Sequence, residues 1–237
     1  MRAFFKLLAA ALNGRDKFYD RFVLLSGLDY PVWNPERIKT FFENNKDKEY
    51  VCGYNITKCP YDYQLRKIKY YHFFRDIPLP HKSFLRRLIV GGTAILLKYI
   101  GIHRRPVMMI KGKPYDVYFG SSWISITREC ALFLMEQFVQ EDGIKKYFST
   151  VYAPDELCVP TLVMNSKFAK NAILVEGNLS FQGVTPLHYL NYEDCIWSYD
   201  EKDYDTIVGS GKMFVRKIVS GKSERLVEMI KQSWKEC

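Results

Sequence analysis

The groups in this chain best placed for chemistry are two acids at a turn and two cations after a strand. Ala153-Pro154-Asp155-Glu156 reads as the opening of a helix, with proline at its first position. A carboxylate there can face a cleft and take a proton from an attacking hydroxyl, which is the work of a general base. The plain alternative is that Asp155 and Glu156 only complement the positive end of a helix dipole. Arg216 and Lys217 follow the strand-like run Met213-Phe214-Val215. Successive strand residues face opposite sides, so one of the two cations is expected to face the cleft and steady an anionic leaving group. For Arg216 the plain alternative is a surface ion pair.

Other motifs are weaker singly. Asp29, in Asp29-Tyr30-Pro31, ends a strand and either caps a turn or meets a ligand. Trp123 follows Gly120-Ser121-Ser122 and is either core or a flat wall for a ligand. Asp203-Tyr204-Asp205 has the spacing of a metal-binding acid pair, but no apolar strand precedes it, so it reads as a solvated helix start. Neither Gly91-Gly92 nor Gly209-Ser210-Gly211 matches a nucleotide-binding loop. The six cysteines (Cys52, Cys59, Cys130, Cys158, Cys195 and Cys237) form no C-x-x-C pair or Cys/His cluster, which argues against a zinc site. Reduced thiols in a cytoplasmic protein are the expectation. Asn55-Ile56-Thr57 and Asn178-Leu179-Ser180 match the N-glycosylation pattern by chance.

The elements that must position these groups alternate. Arg21 to Ser26 is a short apolar strand, and Asn34-Pro35 opens a helix. Glu49 to Tyr54 and Ile68 to Phe74 read as strands, and His81 to Tyr99 as a basic, apolar helix. Two strands, Pro106 to Ile110 and Tyr115 to Phe119, flank Lys111-Gly112-Lys113. Helices follow at Thr127 to Gln140, with Thr127 as cap, and at Asp155 to Asn165, limited or kinked by Pro160. Short strands at Ala172 to Glu176, Leu187 to Leu190 and Met213 to Ile218 precede a closing helix, Ser223 to Trp234. This is an α/β pattern with a central sheet, in one domain spanning residues 1–237. In such sheets ligands collect in loops at the carboxyl ends of strands.

Composition sets outer bounds. With 48% hydrophobic and 16% aromatic residues the chain can pack a core, which excludes disorder. The net charge of +9 is concentrated: Lys58 to Pro114 holds 13 basic and 2 acidic residues. Such a block suits phosphates, anionic lipid or nucleic acid, or is a solvated face. No nucleic-acid motif is interleaved with it, so nucleic acid is not expected as a partner. Met1 to Leu12 is an amphipathic helix start, too short and charged to span a bilayer, and the apolar run Leu88 to Ile102 is broken by Gly91, Gly92 and Lys98. His81 to Ile102 is expected either to sit on an anionic membrane or to be a buried core helix with a basic edge.

Four segments, in order along nearly the whole chain, carry a resemblance: Leu24-Leu25-Ser26-Gly27-Leu28-Asp29-Tyr30-Pro31, Phe119-Gly120-Ser121-Ser122-Trp123-Ile124-Ser125-Ile126-Thr127-Arg128, Ala153-Pro154-Asp155-Glu156, and Ser210-Gly211-Lys212-Met213-Phe214-Val215-Arg216-Lys217-Ile218. Together they resemble the core-2/I-branching N-acetylglucosaminyltransferase family, which also includes peptide xylosyltransferases. The resemblance implies a GT-A-like α/β fold, a UDP-sugar donor, a glycan acceptor, inversion at the anomeric carbon, and no metal. It also implies that Glu156 is the catalytic base and that Lys217, with Arg216 beside it, meets the donor diphosphate. Trp123, Ser121 and Asp29 are then expected along the substrate cleft, with Trp123 able to stack on a sugar face. Arg66 and Lys69 match the family's acceptor-side segment loosely. In Leu187-His188-Tyr189-Leu190-Asn191-Tyr192, His188 stands where the family usually shows arginine and Tyr192 where it usually shows tryptophan. Members usually begin with a strand, a helix and a further strand that hold the uridine, and the chain as given starts within a helix. Weak UDP binding and weak activity follow as expectations. Xylosyl transfer, a non-catalytic remnant and a basic anion-binding module are the alternatives.

Overall fold

The computed structural model describes residues 1–14, 18–74, 77–80, 82–177, 182–191 and 197–235. Asn178-Leu179-Ser180, Tyr192, Cys195, Cys237 and the first residue of the expected helix, His81, lie outside the described residues. In chain order the elements are α1 (Arg2–Leu12), β1 (Arg21–Val23), β2 (Asp29–Pro31), α2 (Pro35–Asn44), β3 (Cys52–Asn55), α3 (Asp62–Lys69) and α4 (Phe84–Tyr99). They continue with β4 (Val107–Ile110), β5 (Lys113–Asp116), β6 (Tyr118–Phe119), β7 (Ser125–Thr127), α5 (Arg128–Gln140), α6 (Asp142–Phe148) and α7 (Pro154–Met164). The last are β8 (Ile173–Val175), β9 (His188–Tyr189), α8 (Tyr204–Gly209), β10 (Phe214–Arg216) and α9 (Glu224–Ser233).

The mixed α/β reading holds, with the sheet divided into small pieces. Among the described residues the strands pair as β1-β7, β2-β10-β9, β6-β3-β8 and β4-β5. Parallel pairs (β10 with β9, β3 with β8) and antiparallel pairs occur in the same sheets. A single antiparallel bridge from Tyr50 to Ser125 joins the lead into β3 to β7. Arg21 reinforces that seam: its guanidinium donates to Ser125 Oγ at 3.2 Å and to the carbonyls of Asn45 and Lys46 at 3.0 Å each.

Local sequence explains most boundaries. Asn34 Oδ1 accepts from the Arg37 amide at 2.8 Å, with Pro35 at the first helical position of α2. Thr127 Oγ1 accepts from the Cys130 amide and caps α5. Positive φ at Lys111 (48°) and Gly112 (77°) closes the β4–β5 hairpin.

Two expectations are corrected. Ile68 to Phe74 is not a strand: α3 runs over Asp62–Lys69, burying Gln64 and Ile68 one turn apart on its inner face. The reading of α4 as a buried core helix also fails, because none of its residues is buried.

The main core packs α1, α5, α6 and α7 against β3 and β6, through Phe5, Tyr54, Phe119, Leu134, Phe148 and Leu157 among others. A second cluster gathers the C-terminal part around Val32, Val215, Leu226 and Ile230. Cys52, Cys59, Cys130 and Cys158 are free thiols, and burial pushes the Cys52 thiol up to about 12.

Candidate functional site

Strand register builds one half of the site. In the β2–β10 ladder Asp29 lies directly opposite Arg216, and in the β9–β10 ladder His188 lies opposite Phe214. Arg216 and Phe214 are two residues apart, so the side chains of all four share one face of this small sheet. Asp29, with no exposed side-chain surface, collects the donors. The Ser26 amide reaches Asp29 Oδ2 at 2.6 Å and the Ser26 hydroxyl reaches Oδ1 at 2.9 Å. Trp123 Nε1 donates to Oδ2 at 3.1 Å and Arg216 Nη1 to Oδ1 at 3.0 Å. Arg216 Nη1 also donates to Ser26 Oγ, and its guanidinium lies 5.0 Å from the centre of the Trp123 ring.

The electrostatics follow from that geometry. Burial alone would raise the Asp29 carboxyl; the surrounding donors and the neighbouring charges outweigh it and hold Asp29 well below the usual carboxylate range. His188 Nε2 stands 3.5 Å from Asp29 Oδ2 and misses hydrogen-bond geometry, so its pull on Asp29 is through the field rather than a bond. The imidazole is stacked on Phe214 at 5.0 Å, and burial lowers its pKa. Among the described residues neither of its ring nitrogens has a hydrogen-bond partner, and Arg216 Nε is also buried without one. The reading of Arg216 as a surface ion pair is thereby corrected. Its side chain is 15% exposed, because β10 delivers it against a buried carboxylate instead of to the outside. Lys212, in the same segment, donates to the carbonyls of Thr185 and Pro186 and ties that loop to the start of β10.

The other half of the site is the first turn of α7. Pro154 stands at its start and Glu156 in its first turn, half-buried, its amide bonded back to the Ala153 carbonyl. Pro160 lies inside the helix and has no N–H, so the carbonyl of Glu156, four residues earlier, lacks its helical donor. The Gly120 amide fills the gap at 2.8 Å. That approach leaves no space for a side chain at position 120: a Cβ would stand 2.1 Å from the Cys52 carbonyl oxygen and 2.9 Å from Pro160 Cγ. Thr161 completes the splice, accepting from the Tyr118 amide at 3.0 Å and donating to the Tyr118 carbonyl at 3.2 Å. The loop from Gly120 to Trp123 is thus bonded to the helix that carries Glu156. Ser121, 2% exposed, accepts from the Trp123 amide through its hydroxyl and sets that loop's shape.

A cleft of about 320 Å³ lies between these halves. Ser26, Ser121 and Trp123 form one wall, Asp155 and Cys158 another, and Phe4 and Leu7 of α1 a third. Asp155 is ion-paired with the Met1 amine.

The structure brings Asp29, Ser121, Trp123 and Arg216 together and joins their loop to Glu156. It does not bring Arg66 or Lys69 to the same place. Arg66 pairs with Asp62 one turn away on an exposed face, and Lys69 is at the end of α3 beside Tyr70. Lys67 takes the inward position instead. Its ammonium lies 3.5 Å from the centre of the Phe119 ring and is close enough to Glu156 to feel its charge, while burial lowers its pKa. The signal for Lys67 was helical spacing: Gln64, Lys67 and Ile68 share the inner face of α3, which a strand assignment over Ile68 to Phe74 conceals. Lys217 is half-buried just past β10, its amide donating to the Trp197 carbonyl and its carbonyl accepting from the Tyr199 amide. Asp203 caps its own helical turn, its carboxylate accepting from the Asp200 amide at 3.0 Å.

In comparison with protein families, residues 1–185 match the family described as core-2/I-branching enzyme. The match takes in Asp29, Lys67, Gly120, Trp123 and Glu156 and stops short of His188, Arg216 and Lys217. No curated protein matches the chain.

Proposed function

Because this chain belongs to the core-2/I-branching enzyme family, a family of glycosyltransferases, we propose that it moves N-acetylglucosamine from a UDP donor to a hydroxyl of a glycan acceptor, with inversion and without a metal. The observation that carries the reading is the position of Glu156: a carboxylate in the first turn of α7, beside Lys67 and bonded through its own carbonyl to the loop that holds Ser121 and Trp123. In the proposed step Glu156 takes the proton of the acceptor hydroxyl as that oxygen attacks the anomeric carbon. The bond from that carbon to the diphosphate oxygen breaks, and Lys217 meets the charge that develops there. Trp123 offers the acceptor or donor sugar a flat wall on the cleft side.

Arg216 has a different part in this scheme. Its Nη1 is committed to Asp29 and Ser26. It acts as a positioning residue that keeps Trp123 and the end of β10 in place, and Lys217 is the cation assigned to the diphosphate.

The deciding experiment is a panel of UDP-sugars, UDP-N-acetylglucosamine and UDP-xylose among them, assayed for release of UDP with and without glycan acceptors. Acceptor-dependent UDP release from UDP-N-acetylglucosamine, absent in Glu156→Gln, is the expected result. Release from UDP-xylose alone would move the assignment to xylosyl transfer. No acceptor-dependent release from any donor would overturn the reading.

A further inference from the structure

Helix α4 leaves a broad apolar stripe uncovered, which is unusual for a helix of a globular protein. Its sixteen residues include no buried one. At 100° per residue Phe84, Leu88, Ile95 and Tyr99 fall on a single stripe, widened by Leu85 and Leu96. This stripe is the most exposed part of the helix: Tyr99 is 89%, Phe84 78% and Ile95 70% exposed. The opposite, better covered side carries Ile89, Val90 and Leu97 together with Arg86 and Thr93. There Arg86 Nη1 donates to the Ile77 carbonyl at 2.9 Å, and Thr93 donates back to the Ile89 carbonyl at 2.7 Å. Arg87 and Lys98, both exposed, run along one edge of the apolar stripe. Ile100 and Ile102 extend the apolar surface past the helix end.

We infer that α4 is a membrane-surface helix, which lays its Phe84–Tyr99 stripe into the head-group boundary of an anionic bilayer. Three features select this occupant. The stripe is apolar with an aromatic residue at each end, the side-chain type that favours the membrane–water boundary. Its edge is cationic, and the surrounding segment Lys58 to Pro114 carries 13 basic against 2 acidic residues, which complements anionic lipid. The helix is also shorter than a span requires, and no helix among the described residues is long and apolar enough to cross a membrane, so the stripe can lie in the surface plane only. The contact would be transmitted toward the candidate site, since the Arg104 amide, just past the helix, donates to the Lys69 carbonyl at the end of α3, the helix that carries Lys67.

The test is vesicle flotation of the full chain with phosphatidylcholine alone and with added phosphatidylserine, at low and at physiological salt. Binding is expected only with the anionic lipid. Replacing Arg87 and Lys98 together by alanine should lower the partition coefficient by roughly 30-fold, taking each cation's contribution near an anionic surface. Replacing Leu88 and Ile95 together by glutamate should abolish binding although every cation is retained, which separates insertion from a diffuse polyanion effect. All four residues are on the outside of the helix, so the circular dichroism of both variants should match that of the parent. Binding that ignores lipid charge, or that survives the Leu88/Ile95 change, would overturn the inference. So would a parent chain that binds no vesicle and is dimeric, with the Leu88/Ile95 variant monomeric, because the stripe would then belong to a second copy of the chain. These readouts do not use glycosyl transfer, so they stand or fall independently of the function proposed above.

Discussion

The Gly120 amide donates to the Glu156 carbonyl at 2.8 Å, an acceptor left open because Pro160 cannot donate to it. The bond fixes the first turn of α7 against the loop leading to Trp123 at the point where the proposed base must be held still. Gly120→Ala would push a Cβ into the Cys52 carbonyl. A cost of about 3 kcal/mol, or roughly 6–12 °C of melting temperature, is expected from overpacking of this kind. A thermal melt within about 2 °C of the parent's, less than 1 kcal/mol on the same scale, would show that the loop and helix can part without penalty.

Glu156→Gln keeps the size and the first-turn position of the side chain and removes the base. Transfer is expected to fall by about 10²–10⁴-fold with the melting temperature little changed. Asp155→Asn is the control, since Asp155 is ion-paired with the Met1 amine and has no assigned chemical role. Comparable losses in both variants would indicate that the two acids serve the helix end and not the reaction.

Lys67 should influence the proton chemistry from one side chain away. Its positive charge beside Glu156 opposes protonation of that carboxylate, so Lys67→Met is expected to move the acid limb of the kcat/KM profile to higher pH. A uniform drop in rate with an unmoved limb would assign Lys67 to packing on Phe119 alone.

Two buried groups should leave separate marks on stability against pH. The folded pKa of His188 is lowered by burial, so protons favour the unfolded chain and stability declines as pH falls below about 6.5. The folded pKa of Asp29 is depressed, so its contribution is complete above about pH 4 and is lost as pH falls further toward the folded value. His188→Gln is expected to flatten the upper window. Asp29→Asn is expected to flatten the lower one and to cost about 3–5 kcal/mol near neutrality, because Arg216 is left buried without its countercharge. Melting temperatures across this range test both, and an unchanged upper slope in His188→Gln would contradict the first.

If a lysine rather than a metal meets the diphosphate, activity should persist in EDTA. Lys217→Ala should then raise the donor KM more than the acceptor KM. Abolition by the chelator with recovery in Mn²⁺ would instead assign the diphosphate contact to a metal.

Much of this was legible in the chain. The caps at Asn34 and Thr127, the proline that opens α7 and the charge block around α4 are local signals, and local signals survive into the fold. The strand ascribed to Ile68 to Phe74 failed because Ile68 and Lys69 are the last residues of α3, where burial of Ile68 follows the helical period, and the aromatic run Tyr70 to Phe74 after it is in neither helix nor strand. That error hid Lys67. The inward turn of Arg216 was not readable at all, because it depends on the register between β2 and β10, which no local pattern fixes.

That register has a consequence for the birth of the protein. Asp29 and Arg216 are 187 residues apart. During synthesis Asp29 is made 187 residues before Arg216 and must wait, exposed in an unfinished sheet, until those residues have followed. Closing so long a loop is slow relative to forming helices nearby. The nascent chain therefore carries an open β2 edge until β10 is made, and a product that stops before β10 would keep that edge, with a negative charge at its start, available to other chains.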